Sequence, residues 1–210
     1  MREPQVVLIT GTSTGMGHAT ARWLAERGMR VFGGSLDPEE DEPIPGAEVL
    51  PLDVRQDAAV QACIDGVLRR AGRLDVLVNN AGYALCGALE EFSIDEAKAQ
   101  FETNFFGIVV SLVEPGSCRT PIVRHAKVAA RSIDAYSSRR RRVLALVKEH
   151  CEKGTDPIRV ARCVERIIRS RWPRLRYRVG PDVTMSYWLR RFLPESLFQR
   201  MVRDYYRMDS

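Results

Sequence analysis

The chain has 210 residues, of which 45% are hydrophobic and 28% are charged, so its composition is that of one folded domain, or at most two small ones, and argues against a disordered or coiled-coil protein. Its apolar runs fall far short of the about 20 residues that a membrane-spanning helix needs. The formal net charge is +5. The first residues lead directly into a strand-like run, and we therefore expect no secretory signal.

The first half of the chain alternates strand and helix patterns. The continuous apolar run from Val6 to Ile9 predicts a strand buried on both faces, and a helix from Ala19 to Arg27 ends at Gly28. The further predicted elements are strands over Arg30–Gly34, Glu48–Leu52 and Leu74–Val78, a helix over Asp57–Ala71 and a loop over Asp37–Pro45. This alternation is typical of a parallel sheet with helices on both faces.

The second half begins with a helix and then passes directly into another strand pattern. Ser93 and Glu96 have the spacing of a capping box, which predicts a helix to about Phe106, and Ile108 to Val113 reads as a buried strand. The later predicted elements are helices over Ile133–Glu152 and Ile158–Arg171, a strand over Leu175–Val179 and an amphipathic terminal helix after Pro194. The sequence thus predicts one doubly wound, Rossmann-like α/β domain with about six parallel strands in the order 3-2-1-4-5-6.

A glycine-rich stretch, TGTSTGMG at Thr10 to Gly17, lies between the first strand and the first helix. Gly11 permits a tight turn, Gly15 lets the backbone approach a pyrophosphate, and Gly17 allows the helix to pack closely on the strand. The amides at a helix N-terminus attract anions. This context predicts a dinucleotide site, and a glycine-rich turn of an unrelated α/β protein is the alternative.

Further motifs follow in a recognisable order. They are LDV at Leu52–Val54, NNAG at Asn79–Gly82, Asn104 in the fourth predicted helix, EPG at Glu114–Gly116 with RTP at Arg119–Pro121, and PRLRYRVGPD at Pro173–Asp182. In this order and spacing the chain resembles the short-chain dehydrogenase/reductase family. The tail from Leu189 to Phe198 is similar to the hydroxysteroid and retinol dehydrogenase branch. The resemblance implies an oxidoreductase that uses NAD or NADP on an alcohol or ketone, with a lipid-like substrate.

The resemblance also implies roles for individual residues. The cofactor-binding positions would be Gly11, Ser13, Gly15, Met16, Gly17, Ser35, Asp53, Val54, Asn80, Ala81, Gly82 and Thr120. Among them, Asp53 and Val54 would flank the adenine and Thr120 would lie near the nicotinamide amide, although Asp53 has a solvated strand-end carboxylate as its alternative. The choice between NAD and NADP stays open. Leu36 stands where this branch often places Arg, and Asp37 follows one residue later.

The catalytic segment of the family is absent. In the family, a Ser, a Tyr and a Lys four residues after that Tyr lie between the Asn helix and the Pro-Gly strand. Here Asn104 and Pro115 are eleven positions apart, so about 60 to 80 residues, two βα units, are missing. Asn104 is the one catalytic family position that is left, and Tyr136, followed by Arg140, is a poor substitute for the Tyr-Lys pair.

This gap leads us to the hypothesis of an internal deletion. On this interpretation residues 1–210 form a single NAD(P)-binding domain, in which 1–107 are the cofactor half and 108–210 a truncated substrate half with an amphipathic tail. Two functions stay open: an oxidoreductase by descent that is catalytically impaired, and a non-catalytic dinucleotide-binding or interaction protein.

Charge and cysteine content bear on partners and location. Residues 1–116 hold 9 basic and 18 acidic side chains, whereas residues 117–210 hold 23 and 9. The arginines are spread along helical faces, which argues against nucleic acid and leaves contact with an anionic membrane surface open.

The five cysteines are odd in number and widely spaced, as in reduced cytoplasmic proteins. The three histidines lack partners at ligand spacing, so we expect no metal site; the oligomeric state stays open.

Overall fold

The computed structural model describes residues 3–86, 91, 93–104, 111–123, 127–128, 133–134, 137–170 and 172–206. Its strands are β1 (Val6–Thr10), β2 (Arg30–Ser35), β3 (Ala47–Pro51), β4 (Val76–Val78), β5 (Leu85–Cys86), β6 (Leu112–Pro115), β7 (Lys127–Val128) and β8 (Arg176–Val179). Its helices are α1 (Gly15–Ala25), α2 (Asp57–Ala71), α3 (Ile94–Asn104), α4 (Ser137–Lys153), α5 (Pro157–Arg169), α6 (Pro181–Phe192) and α7 (Glu195–Tyr206).

The main sheet has four parallel strands in the order β3-β2-β1-β4. Because strand side chains alternate between faces, β1 buries Val7 and Ile9 against α1 and α5, and Val6 and Leu8 against α2. Each face of the sheet therefore has its own apolar core. The predicted doubly wound α/β fold and the strand order 3-2-1-4 are confirmed.

The last two predicted strands also pair in parallel, but in a sheet of their own. Leu112 to Pro115 of β6 lie opposite Arg176 to Val179 of β8. Among the described residues no ladder joins this pair to β4, so the expected continuous sheet of six strands is corrected to four strands plus two. A second small parallel pair, β5 with β7, was not expected.

Helix packing, rather than strand pairing, fixes the position of the β6–β8 unit. The α5 helix lies against α1, where the indole N–H of Trp23 donates to Glu165 over 2.7 Å. Guanidinium groups of Arg27 and Arg162 stand 3.2 and 4.9 Å from the centre of the Trp23 ring. Arg27 also pairs with Glu165 at 3.3 Å. This interface holds the second half of the chain on the first without a shared ladder.

Local signals in the sequence account for several helix ends. Ser93 and Glu96 form the predicted capping box, with the Glu96 amide donating to Ser93 Oγ and the Ser93 amide donating to Glu96 Oε2. Asp156 caps α5 by accepting from the amide of Ile158, with Pro157 in the first helical position. By contrast, α1 begins at Gly15, four residues before its predicted start, because its glycine-rich first turn is packed against β1. The predicted strand from Ile108 lies partly outside the described residues, and its described part is β6.

Replacing Glu165 by Ala tests the α1–α5 interface. The change removes hydrogen bonds from Trp23 and Arg169 to a charged acceptor that is only 18% exposed, and we expect the free energy of unfolding to fall by about 2 kcal/mol in urea titrations. Burial alone would raise the Glu165 pKa, but these hydrogen bonds and the charges of Arg169 and Arg27 outweigh it and hold the pKa below its ordinary value.

The difference in unfolding free energy between the wild type and Glu165→Ala should therefore be present above about pH 4 and shrink as the pH falls further. Glu26→Ala is the matched control, since Glu26 pairs with Arg22 on the outer surface and is 47% exposed; it should cost less than about 1 kcal/mol. Equal effects of the two variants would contradict the assigned role of Glu165.

Candidate functional site

The site is built around the turn between β1 and α1. Gly11 has φ of +70°, and a side chain there would place its Cβ 2.6 Å from the Cα of Ala81. At Gly17 a Cβ would lie 2.1 Å from the carbonyl oxygen of Gly11 and 2.4 Å from Nδ2 of Asn80. Both positions require glycine, one for its backbone conformation and close contact, the other for close contact alone.

The end of β4 is tied to this turn by hydrogen bonds. The hydroxyl oxygen of Thr10 accepts from the amides of Asn80 and Ala81 at 3.0 and 2.9 Å. The Asn80 side-chain amide donates to the carbonyl oxygens of Thr10 and Gly11, each over 2.9 Å. The NNAG segment is therefore held beside the glycine-rich turn by side chains from both strand ends.

The loop after β6 supplies the third wall. A Cβ on Gly15 would meet the side chain of Thr120 at 3.4 Å, so Thr120 lies directly against the turn. Asp182 fixes this loop from the start of α6 by accepting from the Ser117 amide at 2.6 Å. Burial alone would raise the pKa of Asp182, but hydrogen bonds from backbone amides outweigh it and lower the pKa. The carboxylate thus stays charged and keeps the loop in place.

These three segments enclose an open cleft of about 380 Å³. Eight of the predicted cofactor residues line it: Gly11, Ser13, Gly15, Met16, Asn80, Ala81, Gly82 and Thr120. Five more residues line the cleft and were not predicted as cofactor residues: Thr14, Asn79, Tyr83, Pro121 and Ile122. Thr14, Asn79 and Pro121 lie inside the motifs, and their positions there are a signal that could have found them. Tyr83 and Ile122 directly follow motifs, and nothing in their residue types marks them as lining.

Four other predicted cofactor residues do not line this cleft. Gly17 lies beneath it in the contact between α1 and the turn, and Ser35 is buried at the end of β2, where its carbonyl accepts from the Leu52 amide. Asp53 and Val54 follow β3. Their proximity to an adenine stays a prediction.

Asp53 is a fixed, ionised acceptor. Its two oxygens accept from the Arg55 guanidinium at 2.9 and 2.7 Å, and Gln56 donates to it at 3.0 Å. Side-chain hydrogen bonding by Arg55, opposed by burial and aided by its backbone amide, holds the Asp53 pKa far below its usual range. With the Arg55 backbone amide as a further donor to Oδ1, the four lone-pair positions of this carboxylate are used within the chain.

The cleft was tested for its fit to a dinucleotide through the first turn of α1. That turn contains no acidic side chain, and Thr14 at the N-cap makes no side-chain hydrogen bond to it. The first amides of the helix therefore have no acceptor within the helix, and they can bind an anion without repulsion from a neighbouring carboxylate. The absence of side chains at Gly11 and Gly15 leaves the backbone open to close approach, so the residues present fit a pyrophosphate.

Asn104 is the remaining predicted site residue, and the structure does not describe its side chain. Asn104 ends α3, but its side chain and Tyr136 lie outside the described residues. The sequence contains a second Tyr that is followed by Arg four residues later, Tyr187 with Arg191 on α6, and this pair is a further signal beside Tyr136 and Arg140. The centre of the Tyr187 ring lies 3.5 Å from Cζ of Arg178, and Tyr187 does not line the cleft.

Comparison with known proteins places the chain in a family. Residues 5–115 match the family model of the short chain dehydrogenases. The chain belongs to the short-chain dehydrogenase family. This stretch contains the glycine-rich turn, the LDV and NNAG motifs and Asn104, so the resemblance predicted from the motifs is confirmed.

Curated relatives match about half of the chain. The chain is 42% identical over 107 residues to 3-ketodihydrosphingosine reductase of Bacteroides thetaiotaomicron, covering 51% of this chain and 39% of that one. It is 37% identical over 130 residues to human retinol dehydrogenase 8, covering 55% and 41%. The matches therefore span about two fifths of the length of these relatives.

Solved short-chain dehydrogenase structures share the fold. A short-chain dehydrogenase from Streptomyces avermitilis superposes with a TM-score of 0.72 at 23% identity, over 97% of this chain and 99% of that one. A family member from Burkholderia phymatum, solved in complex with NAD, gives a TM-score of 0.71 at 19% identity, over 91% and 95%. At these identities the likeness concerns the fold.

Two other kinds of site were considered. Within the described ranges, no three His, Cys, Asp or Glu side chains come together in a way that could hold a metal ion. None of the helices, as far as they are described, is both long enough and apolar enough to cross a bilayer.

Substituting Gly17 by Ala tests the close contact under the turn. The new Cβ would overlap the carbonyl oxygen of Gly11 and the side-chain amide of Asn80. We expect the free energy of unfolding to fall by about 2 kcal/mol or more, with collapse of the cleft. Gly28→Ala is the control, because Gly28 has φ of +76° but nothing within 4 Å of a new Cβ. Gly28→Ala should cost about 1 kcal/mol; a similar or smaller loss for Gly17→Ala would contradict this account.

Proposed function

We propose that this short-chain dehydrogenase binds a nicotinamide dinucleotide in the cleft between the ends of β1, β4 and β6. One observation carries the proposal: the acid-free first turn of α1 opens into a cleft walled by the NNAG segment and by Thr120. NAD in the Burkholderia phymatum relative supports the same ligand class. The bound dinucleotide supplies or accepts a hydride at a carbonyl or alcohol carbon.

The chain's own residues have distinct tasks in this proposal. The amides of Ser13, Gly15 and Met16 hold the pyrophosphate, and the NNAG segment supports the ribose and excludes water from one side. Thr120, against Gly15, orients the nicotinamide amide. Asp53 and Val54 flank the adenine, with Arg55 keeping the Asp53 carboxylate ionised.

The surroundings of β2 favour NAD over NADP. From Ser35 to Pro45 the sequence has no basic residue and five acids, and Leu36 is exposed where a guanidinium would be needed for a 2′-phosphate. Arg55 is already paired with Asp53 at 2.7 Å. A 2′-phosphate would therefore add negative charge beside uncompensated carboxylates.

We propose a lipid-like alcohol or ketone as the substrate class of the lineage and impaired hydride transfer in this chain. The substrate class is supported by the names of the relatives, a 3-ketodihydrosphingosine reductase and a retinol dehydrogenase. Impairment is supported by the eleven positions between Asn104 and Pro115 and by the lack of any Tyr followed by Lys at the fourth position. Without a positioned proton donor, the rate falls by about 10² to 10⁴.

A second candidate is a non-catalytic dinucleotide-binding protein. The observation that favours it is that the cleft is lined by all three segments, whereas the sequence lacks the Tyr-Lys pair that the family uses for proton transfer. Loss of the Lys contacts to the ribose would weaken affinity by about tenfold to a hundredfold without abolishing it.

Ser13→Glu tests dinucleotide binding in this cleft. The change places a carboxylate at the expected phosphate position, and we expect saturable NADH binding, followed by nicotinamide fluorescence, to fall by at least tenfold. Ser13→Ala is the matched control and should change affinity less than fivefold, since the amides remain. The same titration with NADPH should give weaker binding than NADH. Flat curves at millimolar cofactor, or equal binding by both variants, would refute the proposal.

An activity assay separates the two candidates. With NADH and long-chain ketones, retinal or ketosteroids, we expect no cofactor oxidation above the background of the Ser13→Glu variant, because no residue supplies the proton. A short-chain reductase that contains Tyr-x-x-x-Lys serves as the positive control for each substrate. Turnover that the Ser13→Glu change abolishes would show that the chain is an active enzyme and would overturn the proposed impairment.

A further inference from the structure

Exposed apolar side chains are concentrated at the end of the chain. Of the fifteen large hydrophobic residues that are exposed among the described ones, seven lie in α6 and α7. They are Met185, Trp188, Phe192, Leu197, Met201, Val202 and Tyr205, and we call them the α6–α7 apolar surface. The described part of α6 has no buried residue at all, which is unusual for a helix in a folded domain.

The exposed residues of α6 share one face of the helix. Met185, Trp188 and Phe192 are spaced by three and four residues, and the rings of Trp188 and Phe192 stack at 5.5 Å with an angle of 8°. Phe192 is 73% exposed and Met185 61%. This face is thus preformed and turned to solvent.

The α7 helix has an equally clear division. At 100° per residue, Leu197, Met201 and Tyr205 fall within about 80° of one another, Arg203 lies on the opposite side, and Arg200 borders the stripe about 60° from Leu197. Tyr205 hydrogen-bonds to His150 of α4. The helix is therefore held on the domain while its apolar stripe is still exposed.

Charge selects the partner of this surface. At 100° per residue, Arg191 lies about 60° from Trp188 and so borders the apolar face of α6, and residues 117–210, which include both helices, have an excess of fourteen basic over acidic residues. Two copies of this half would repel each other, which disfavours self-association through the surface. Nucleic acid would match the charge but would leave Trp188 and Phe192 in water. An anionic lipid surface matches both, since it takes apolar side chains below the headgroups and attracts flanking arginines.

We propose that the α6–α7 apolar surface docks this protein on anionic membranes, with Trp188 and Phe192 inserted at the headgroup boundary and the arginines at the phosphates. The docking is peripheral and needs no spanning helix. It depends on neither dinucleotide binding nor turnover, so its failure would leave the proposed function standing.

The test is co-sedimentation of the full chain with phosphatidylcholine vesicles that contain or lack phosphatidylserine. We expect binding to the anionic vesicles, weakening with salt, and little binding to phosphatidylcholine alone. Phe192→Glu should lower the partition coefficient at least tenfold. Ile94→Glu is the matched control: it makes the same kind of change at an exposed position on α3 in the acidic half and should leave binding unchanged.

Neutralising Arg191 and Arg200, the two arginines that border the apolar faces of α6 and α7, to Gln should weaken binding by about fivefold for each charge. Thermal melts of all variants verify the fold, and gel filtration at several concentrations checks for self-association. Absence of binding at low salt, equal loss with Phe192→Glu and Ile94→Glu, or a dimer that Phe192→Glu dissociates would each overturn the proposal.

Discussion

The contact between the β1–α1 turn and the end of β4 is the constraint on which the site depends. Thr10 and Asn80 exchange hydrogen bonds across two strand ends, and the turn fits only because Gly17 has no side chain against the Gly11 carbonyl. These bonds involve buried or half-buried backbone groups, which must be paired within the protein. The same contact brings the α1 amides and the NNAG segment to one cleft. The hydrogen bonds that fold this turn therefore also shape the cleft.

The second half of the chain completes this cleft without extending the main sheet. Trp23 and Glu165 join α1 to α5, and α5 is followed by β8, which pairs with β6. The loop after β6 is in turn fixed by Asp182 and reaches Gly15 through Thr120. Helix packing thus positions the third wall of the cleft, because among the described residues no ladder joins β6 to the main sheet.

Local patterns in the sequence predict the first half of the fold well. The run Val6 to Ile9 indicates a doubly buried strand, and Ser93 with Glu96 predicts a capping box, because in both cases the signal lies in adjacent residues. The division of the sheet could not be predicted in this way. It depends on the contact between Trp23 and Glu165, which are 142 residues apart, and no periodicity reports such a contact. The α6 helix is not among the predicted elements, although Pro is common in the first helical position, where Pro181 lies. The motif PRLRYRVGPD, which contains Pro181, indicates the family but not a helix start.

For the site, motifs predict most of the residues that line the cleft but not those that hold its segments together. The hydroxyl of Thr10 acts on the far side of the turn, and Pro121 and Ile122 line the cleft through their shape. This division follows from the chemistry. A phosphate cradle needs glycines and amides at fixed spacing within one segment, and a motif can report such a segment. Proton transfer in the family needs a Tyr and a Lys placed by other elements, and this sequence contains no Tyr followed by Lys at the fourth position. The shape of the cleft and the residues for its chemistry therefore depend on different parts of the chain.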